Sequence, residues 1–185
     1  MKTLRLVSPL PPSVNNYLNY KVSSNGRRKF VQAYPSEETK IYKSFFTDYV
    51  KDQMNEQDWE QPEKGKLVFV KIKFFLDRKR KDPNNFLKVP FDVFTEAGVY
   101  LDDDVALPVS ERVYIDSQNP RLEFEIYEAS NIGVFDDPKD LEDFKNKNCA
   151  FCKKNPDHCT IFKRIIDNRV VQEFNLSNKQ CLARR

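Results

Sequence analysis

The 185 residues suit one ordinary domain, or one domain with a small appendage, and 39% of them are hydrophobic. No stretch approaches the roughly 20 consecutive apolar residues of a membrane-spanning helix, which excludes an integral membrane protein of that type. The net charge of +3, from 31 basic and 28 acidic residues, does not by itself indicate nucleic-acid binding, so any such argument rests on the local distribution of charge.

The N-terminal segment is not a signal peptide, because Arg5 and three prolines interrupt a short apolar run. We therefore expect a cytoplasmic protein. Residues 3–7 alternate in polarity and predict a short strand. The following PLPPSVNNY predicts extended chain, since each proline disfavours helix in the residue before it. We expect the next basic residues to lie in a polar loop: Arg27, Arg28 and Lys29.

A helix and a strand follow. Ser36 is a plausible N-cap for a helix that ends near residues 54–57. Two adjacent rows at helical spacing predict one broad apolar face: Ile41, Phe45 and Tyr49 in the first, and Tyr42, Phe46, Val50 and Met54 in the second. Residues 66–77 alternate clearly, which indicates a strand with one face on a core and Lys71 and Lys73 on the other.

A second helix is predicted over residues 84–97, capped by Asp82 or Asn84, kinked at Pro90 and terminated by Gly98. Two further strands are predicted near residues 109–116 and 120–128. The order predicts an α/β (α+β) two-layer sandwich, with a mixed sheet of about four strands and two helices on one face. The composition changes near residue 130, so we expect a domain at 1–129 and a small Cys-bearing extension at 130–185.

Residues 77–104 concentrate groups that phosphodiester hydrolysis uses. Asp82 and the acidic residues 102–104 offer hard oxygen ligands for Mg²⁺. Lys88 and the basic run at 78–81 offer cations for phosphates and for developing negative charge. Each feature is also common in proteins for purely structural reasons, as a helix cap, a solvated turn or a hydrated loop. Spacing alone therefore indicates only a possible metal site.

The segment KDPNNFLKVPFDVFTEAGVYLDDD resembles the signature of the RusA-type Holliday junction resolvases, or crossover junction endodeoxyribonucleases. In that signature D-x-D-N-x-x-K precedes a helix and a D-D pair follows it. The N-terminal PPSVNNY is similar to the family's PPS-x-N-x-Y start, and the resemblance covers roughly residues 3–128. It implies a homodimer that recognises four-way junctions by shape and nicks two strands symmetrically with Mg²⁺ (or Mn²⁺) in DNA recombination and repair. A phage or prophage origin is implied by analogy.

The resemblance also implies roles for individual residues. The implied catalytic residues are Asp82, Lys88 and Asp103, and the implied metal ligands are Asp82, Asn84, Asp102 and Asp103. Asn84 departs from the family, which has a carboxylate there. An amide oxygen can ligate Mg²⁺ but brings no charge, so a junction-binding protein without catalysis is an alternative, and Asp104 is a candidate for compensation. The sequence leaves open whether Asp82 and Asp103 meet in one chain or across a dimer.

DNA contact is expected first at the basic run beside this motif, with the motif asparagine: Arg78, Lys79, Arg80, Lys81 and Asn85. Lys71, Lys73 and the residues at 27–29 are weaker candidates. Such contacts position the DNA backbone and do not identify bases. Two other functions stay open. One is a nuclease of flaps or replication forks, and the other is a partner-binding module centred on the C-terminal extension.

The extension carries all four cysteines: Cys149, Cys152, Cys159 and Cys181. A C-x-x-C pair is typical of a structural zinc site, which four thiolates would complete, with His158 as the alternative to Cys159. Four free thiols, a disulfide or an iron–sulfur cluster would also be compatible with this spacing. The extension is expected to brace the dimer, to touch DNA or to bind a partner whose identity the sequence does not give.

Overall fold

The computed structural model describes residues 2–26 and 28–183. The chain divides into two compact units, Met1–Ala129 and Ser130–Arg185. Over the described ranges, no helix has both the length and the apolar character that a membrane crossing would need.

The first unit is built on one mixed four-stranded sheet, as the sequence predicts. Its elements are β1 (Thr3–Pro9), β2 (Leu18–Ser24), β3 (Lys29–Pro35), α1 (Glu37–Glu56), β4 (Val68–Leu76), α2 (Lys88–Ala97), β5 (Ala106–Ile115) and β6 (Arg121–Glu128). The strand order is β1-β6-β4-β5. The β1–β6 and β6–β4 pairs are antiparallel, whereas β4 and β5 are parallel.

Both helices pack on the same face of this sheet. The alternating residues of β4 that the sequence assigned to the core are all buried: Val68, Val70, Ile72, Phe74 and Leu76. The Phe94 ring of α2 lies 5.0 Å from the Phe124 ring of β6 and 6.1 Å from the Phe46 ring of α1. The predicted two-layer sandwich is therefore confirmed.

The helix α1 begins where the sequence places it, since the side-chain oxygen of Ser36 accepts a hydrogen bond from the Thr39 N–H at 3.3 Å. The prediction of one broad apolar face is wrong at Ile41 and Phe45 but holds at Tyr49, which packs against the core. The row of Tyr42, Phe46 and Val50 is buried, whereas Ile41 and Phe45 are 61% and 45% exposed. A helix that packs on a sheet with one stripe leaves the neighbouring row outside that contact.

The expected polar loop is the turn of a β-hairpin: Arg28 lies in this turn, whereas Lys29 already begins β3. β2 and β3 pair antiparallel as a separate two-stranded sheet, and both strands are largely exposed. The alternation rule missed them because neither strand buries a face in a core. The Asn25-Gly26 pair was the available signal, since Gly26 has a φ of +84° in the hairpin turn. Arg27 lies outside the described residues.

The predicted helix at 84–97 is in fact two segments. A 3₁₀ turn, Pro83–Phe86, precedes α2, and the break falls at Leu87. Pro90 produces no kink in an α-helix interior, because it is the third residue of α2, where a backbone N–H has no partner within the helix anyway. Gly98 ends α2 with a φ of +85°, as predicted.

The second unit is small. Its elements are α3 (Pro138–Phe144), a π-helical turn (Lys145–Cys149), a 3₁₀ turn (Pro156–His158), α4 (Thr160–Ile166) and a hairpin of β7 (Phe174–Asn175) and β8 (Gln180–Cys181). Among its described residues, the core consists of five buried hydrophobic side chains: Val134, Phe135, Phe144, Ile165 and Phe174.

Candidate active site and DNA-binding cleft

A cleft of about 410 Å³ lies between the N-terminal segment and the loop after β4. The N-terminal segment contributes Pro11, Pro12, Ser13, Asn15 and Asn16, and the loop contributes Arg78, Arg80, Lys81, Asp82 and Asn85. A backbone hydrogen bond of 2.8 Å from the Val14 N–H to the Asn85 carbonyl joins the two segments. The two motifs that carry the family resemblance therefore meet in one place.

The basic run follows directly from the end of β4. Arg78, Lys79 and Arg80 are exposed, and Arg80 adopts a positive φ of 65° that turns the chain. Arg78 and Arg80 line the cleft, but Lys79 is not one of its lining residues. Exposed guanidinium groups that face a cleft are well suited to bind a DNA phosphate through two parallel hydrogen bonds.

Lys81 differs from its neighbours because its charge is already matched. Its ammonium lies 2.7 Å from the Asp77 carboxylate and 5.5 Å from the centre of the Phe86 ring. The hydrogen bond from Lys81 holds the pKa of the Asp77 carboxyl below its usual value. Lys81 therefore stabilises the start of the loop, and its charge is less available to DNA than the charges of Arg78 and Arg80.

Asp82 and Asp102 each cap a 3₁₀ turn. A carboxylate oxygen of Asp82 accepts the Asn84 N–H at 3.0 Å, and one of Asp102 accepts the Asp103 N–H at 2.8 Å. The turn after Asp102 runs from Asp103 to Val105. A carboxylate has two oxygens, so a capping aspartate keeps a second one for a cation. Capping of a turn and binding of a metal ion are therefore compatible roles for these two side chains.

Lys88, the first residue of α2, lies between two carboxylates. Its ammonium is 2.7 Å from Asp92 and 3.7 Å from Asp103. Asp92 also lies 3.4 Å from the ammonium of Lys43 on α1, which in turn binds Glu96 at 2.6 Å. The hydrogen bond to Asp92 raises the pKa of Lys88, and the charges of Asp92 and Asp103 add to the effect despite partial burial. Lys88 is thus held in its charged form.

Asp92 and Lys43, which lie beside Lys88, were not predicted from the sequence. The spacing of Lys88 and Asp92, four residues apart on one helix face, was the signal available for the first. No local signal indicated Lys43, because it reaches Asp92 only through the packing of α1 against α2.

Asp103 reaches Lys88 because the chain reverses after Gly98. Val99 and Tyr100 are buried beneath α2, and the Tyr100 hydroxyl donates to the Phe91 carbonyl at 3.5 Å. Burial first, and then the negative charges of Asp103 and Asp92, raise the pKa of Tyr100, which keeps the phenol neutral. This return of the chain is what a site formed within one subunit requires.

The predicted Mg²⁺ ligands are all oxygen donors on exposed residues: Asp82, Asn84, Asp102 and Asp103. Among residues 2–26 and 28–183, no three His, Cys, Asp or Glu side chains are grouped so as to hold a metal ion. Proteins usually bind Mg²⁺ through one or two carboxylates, with waters and substrate phosphates completing the coordination. By chemical type, these oxygen donors therefore suit Mg²⁺.

The other lysines expected to contact DNA have protein partners. Lys71 lies 5.3 Å from the centre of the Tyr127 ring, and Lys73 lies 3.7 Å from a Glu111 carboxylate. They belong to the sheet face opposite the helices, where acidic and basic side chains alternate. Arg28 lies in the β2–β3 turn, and Lys29 begins β3. The cleft is thus the stronger candidate for DNA contact.

The sequence model of the family described as Endodeoxyribonuclease RusA matches residues 9–127. The chain belongs to the RusA endodeoxyribonuclease family. Relatives named crossover junction endodeoxyribonuclease RusA include a protein of Shigella sonnei (strain Ss046), 30% identical over 134 residues, and one of Escherichia coli (strain K12), 29% identical over 132 residues. A third, from Enterobacteria phage 82, is 29% identical over 134 residues. Each match covers 71% of this chain and 99% of the relative.

The RusA match confirms the resemblance predicted from the two motifs. The matched residues contain both the cleft and Lys88 with its two carboxylate partners, Asp92 and Asp103. The second unit, with the four cysteines, lies beyond the RusA match. Its thiols are free and half-buried, whereas His158 is exposed.

Proposed function

We propose that this RusA-family protein is a Mg²⁺-dependent endonuclease that resolves Holliday junctions by symmetric nicking. The observation that carries the proposal is the cleft in which cationic Arg78 and Arg80 lie beside Asp82, within the range that the RusA family matches. The relatives it resembles carry the name crossover junction endodeoxyribonuclease.

Different residues are proposed to bind the DNA phosphates and the metal ion during phosphodiester hydrolysis. Arg78 and Arg80 bind backbone phosphates and set the position of the strand, with Asn85 as a polar contact in the same cleft. The proposed Mg²⁺ ligands are Asp82, Asn84, Asp102 and Asp103. When bound, the metal supplies a Lewis acid for a phosphoryl oxygen and an activated water.

Lys88 is proposed to stabilise the negative charge that develops on the phosphate in the transition state. Its raised pKa keeps the ammonium charged, and Asp92 holds it in place through a 2.7 Å contact. Asp92 is proposed as a positioning residue, since it acts on DNA only through Lys88. Asp103 is proposed both to bind the metal ion and to pair with Lys88, from which it lies 3.7 Å away.

Symmetric nicking of a four-way junction requires two active sites related by a two-fold axis, so we propose a homodimer. Supporting this, β5 pairs only with β4 among the described strands and exposes apolar side chains along its length: Val109, Val113 and Ile115. An unpaired apolar edge strand favours association with a second copy. The sedimentation of wild-type protein and of Val113→Glu tests this, with a monomer expected for the variant.

Asn84 supports a second candidate function, a structure-specific junction binder without cleavage. The amide leaves the proposed metal site one negative charge short of the family pattern. A nuclease of flaps or forks is a third candidate, because phosphate contacts of the Arg78 and Arg80 kind do not specify the branch geometry.

The deciding experiment is a nicking assay on a mobile synthetic four-way junction with Mg²⁺. Wild type is compared with Asp82→Asn and Asp103→Asn, and with Asp48→Asn as a matched control on the exposed side of α1. Symmetric nicks that both site variants lose and the control keeps support the resolvase. Tight binding without nicks supports the binder. Faster cleavage of a flap or fork than of the four-way junction supports the third candidate.

A further inference from the structure

The four cysteines of the second unit lie on three separate segments that share one small core. Cys149 ends the π-helical turn after α3, Cys159 immediately precedes α4, and Cys181 ends β8. Cys149 and Cys181 both pack against the core cluster that contains Phe135 and Phe144. The fold therefore brings together thiols that lie far apart in the sequence.

A buried asparagine ties two of these segments together. Asn148 is only 7% exposed, and its side-chain amide donates to the Phe144 carbonyl at 3.2 Å. Its side-chain oxygen accepts the Cys181 N–H at 3.1 Å. The backbone of Cys181 is thereby fixed beside the residue that precedes Cys149.

The other two cysteines lie in a tight turn and at the start of α4. The Cys152 N–H donates to the Cys149 carbonyl at 3.0 Å, which closes the C-x-x-C segment into a tight turn. The Cys159 carbonyl accepts the Lys163 N–H at 3.0 Å and so begins α4. All four thiols are half-buried and none is in a disulfide.

The other three thiols influence the titration of Cys149. Burial raises the pKa of Cys149 first, and the charges of Cys159, Cys181 and Cys152 raise it further. The C-x-x-C turn and the hydrogen bond from the Cys181 N–H to Asn148 independently place Cys152 and Cys181 in the neighbourhood of Cys149. His158 is exposed, whereas its neighbour Cys159 is half-buried, which favours the thiol as the ligand.

We propose that Cys149, Cys152, Cys159 and Cys181 bind one structural Zn²⁺ ion in the second unit. Zinc favours four tetrahedral ligands and thiolate sulfur. Binding deprotonates the four thiols, releases four protons and involves no oxidation: Zn²⁺ and four R–SH give the tetrathiolate complex and four H⁺. Binding requires side-chain rearrangement, because no three of these thiols, all within the described ranges, are grouped so as to hold a metal ion in this structure. A metal also compensates for a core of only five buried side chains among the described residues.

The test uses the full chain, purified reduced and without chelator, and measures zinc by mass spectrometry. We expect one zinc per chain in wild type and in the control His158→Ala, and loss of zinc in Cys149→Ser and Cys181→Ser. Replacement of zinc by Co²⁺ in the wild-type chain should give the visible absorption of tetrahedral thiolate coordination, which does not depend on the folding of any variant.

Three outcomes would refute the proposal. They are wild type that contains no zinc and is not stabilised by added Zn²⁺, cysteine variants that retain full zinc, and thiols that are lost to disulfides and recovered only by a reductant. None of these measurements involves DNA. A negative result therefore leaves the proposed nuclease activity untouched, and a protein without nuclease activity can still bind zinc.

Discussion

The ammonium of Lys88 lies 3.7 Å from a carboxylate oxygen of Asp103, although the whole of α2 and its terminal turn separate the two residues in the chain. The contact exists because Gly98 ends α2 and the buried residues Val99 and Tyr100 lead the chain back beneath it. It links the two halves of the RusA motif within one subunit.

Replacement of Lys88 by methionine is expected to reduce cleavage about 100-fold, the usual effect of removing one group that stabilises transition-state charge. Junction binding should change little, because Arg78 and Arg80 supply the cleft contacts. Single-turnover cleavage and gel-shift titration measure the two effects. Lys40→Met, which removes an exposed lysine paired with Glu37 on α1, is the control. Equal losses of binding and cleavage would mean that Lys88 only neutralises DNA charge.

Asp92→Asn is expected to lower kcat about tenfold with little change in KM, since it removes one charge-assisted hydrogen bond to Lys88. Asp92 raises the pKa of Lys88, so the pair contributes fully below the ordinary lysine pKa and is lost as pH rises through the raised value. The alkaline limb of the cleavage profile should therefore move to lower pH in the variant. An unchanged limb with reduced kcat would indicate a merely structural role.

Asn84→Asp restores the carboxylate of the family pattern. The added charge should lower the Mg²⁺ concentration for half-maximal cleavage by about tenfold, equivalent to ~1.4 kcal/mol of binding free energy. Mg²⁺ titration of the nicking rate measures it, with Asn55→Asp on the exposed side of α1 as the control. An unchanged or higher Mg²⁺ requirement would place residue 84 outside the metal site.

Arg78→Ala and Arg80→Ala should each weaken junction binding and reduce the slope of log affinity against log salt by about 0.9, the value for one lost phosphate contact. Lys79→Ala is the matched control, because Lys79 belongs to the same exposed turn but not to the cleft lining. A larger slope change for Lys79 than for the arginines would locate the DNA path outside the cleft.

Phe94→Ala is expected to lower the free energy of unfolding by about 3–5 kcal/mol, since Phe94 is fully buried between the helices and the sheet. Phe45→Ala, on the exposed row of α1, should cost about 0.5 kcal/mol or less. Urea denaturation of both variants measures the difference. Similar losses for the two would mean that the Phe45 row is covered in solution, as it would be in an oligomer.

Local patterns were sufficient for much of the fold. The alternation in β4 predicted its buried face, Ser36 predicted the start of α1, and Gly98 predicted the end of α2, because each depends on backbone geometry within a few residues. The RusA motifs likewise identified the family, since spaced residues of fixed type are visible without a structure.

Other features were decided by packing between distant segments. The buried row of α1 could not be chosen from two equally apolar rows, because the choice depends on which side faces the sheet. The β2–β3 hairpin escaped the alternation rule because it has no core face.

In the candidate site, too, some features followed from the sequence and others depended on the tertiary structure. The sequence determined that Asp82, Lys88 and Asp103 are present with the spacing of the family. Only the tertiary structure joined the N-terminal motif to the cleft through Val14 and Asn85, and only the packing of α1 on α2 brought Lys43 to Asp92. The physical reason is the sequence separation of the interacting residues. Caps, turns and periodicity depend on residues a few positions apart. Ion pairs and clefts require distant segments that meet only after the core has formed.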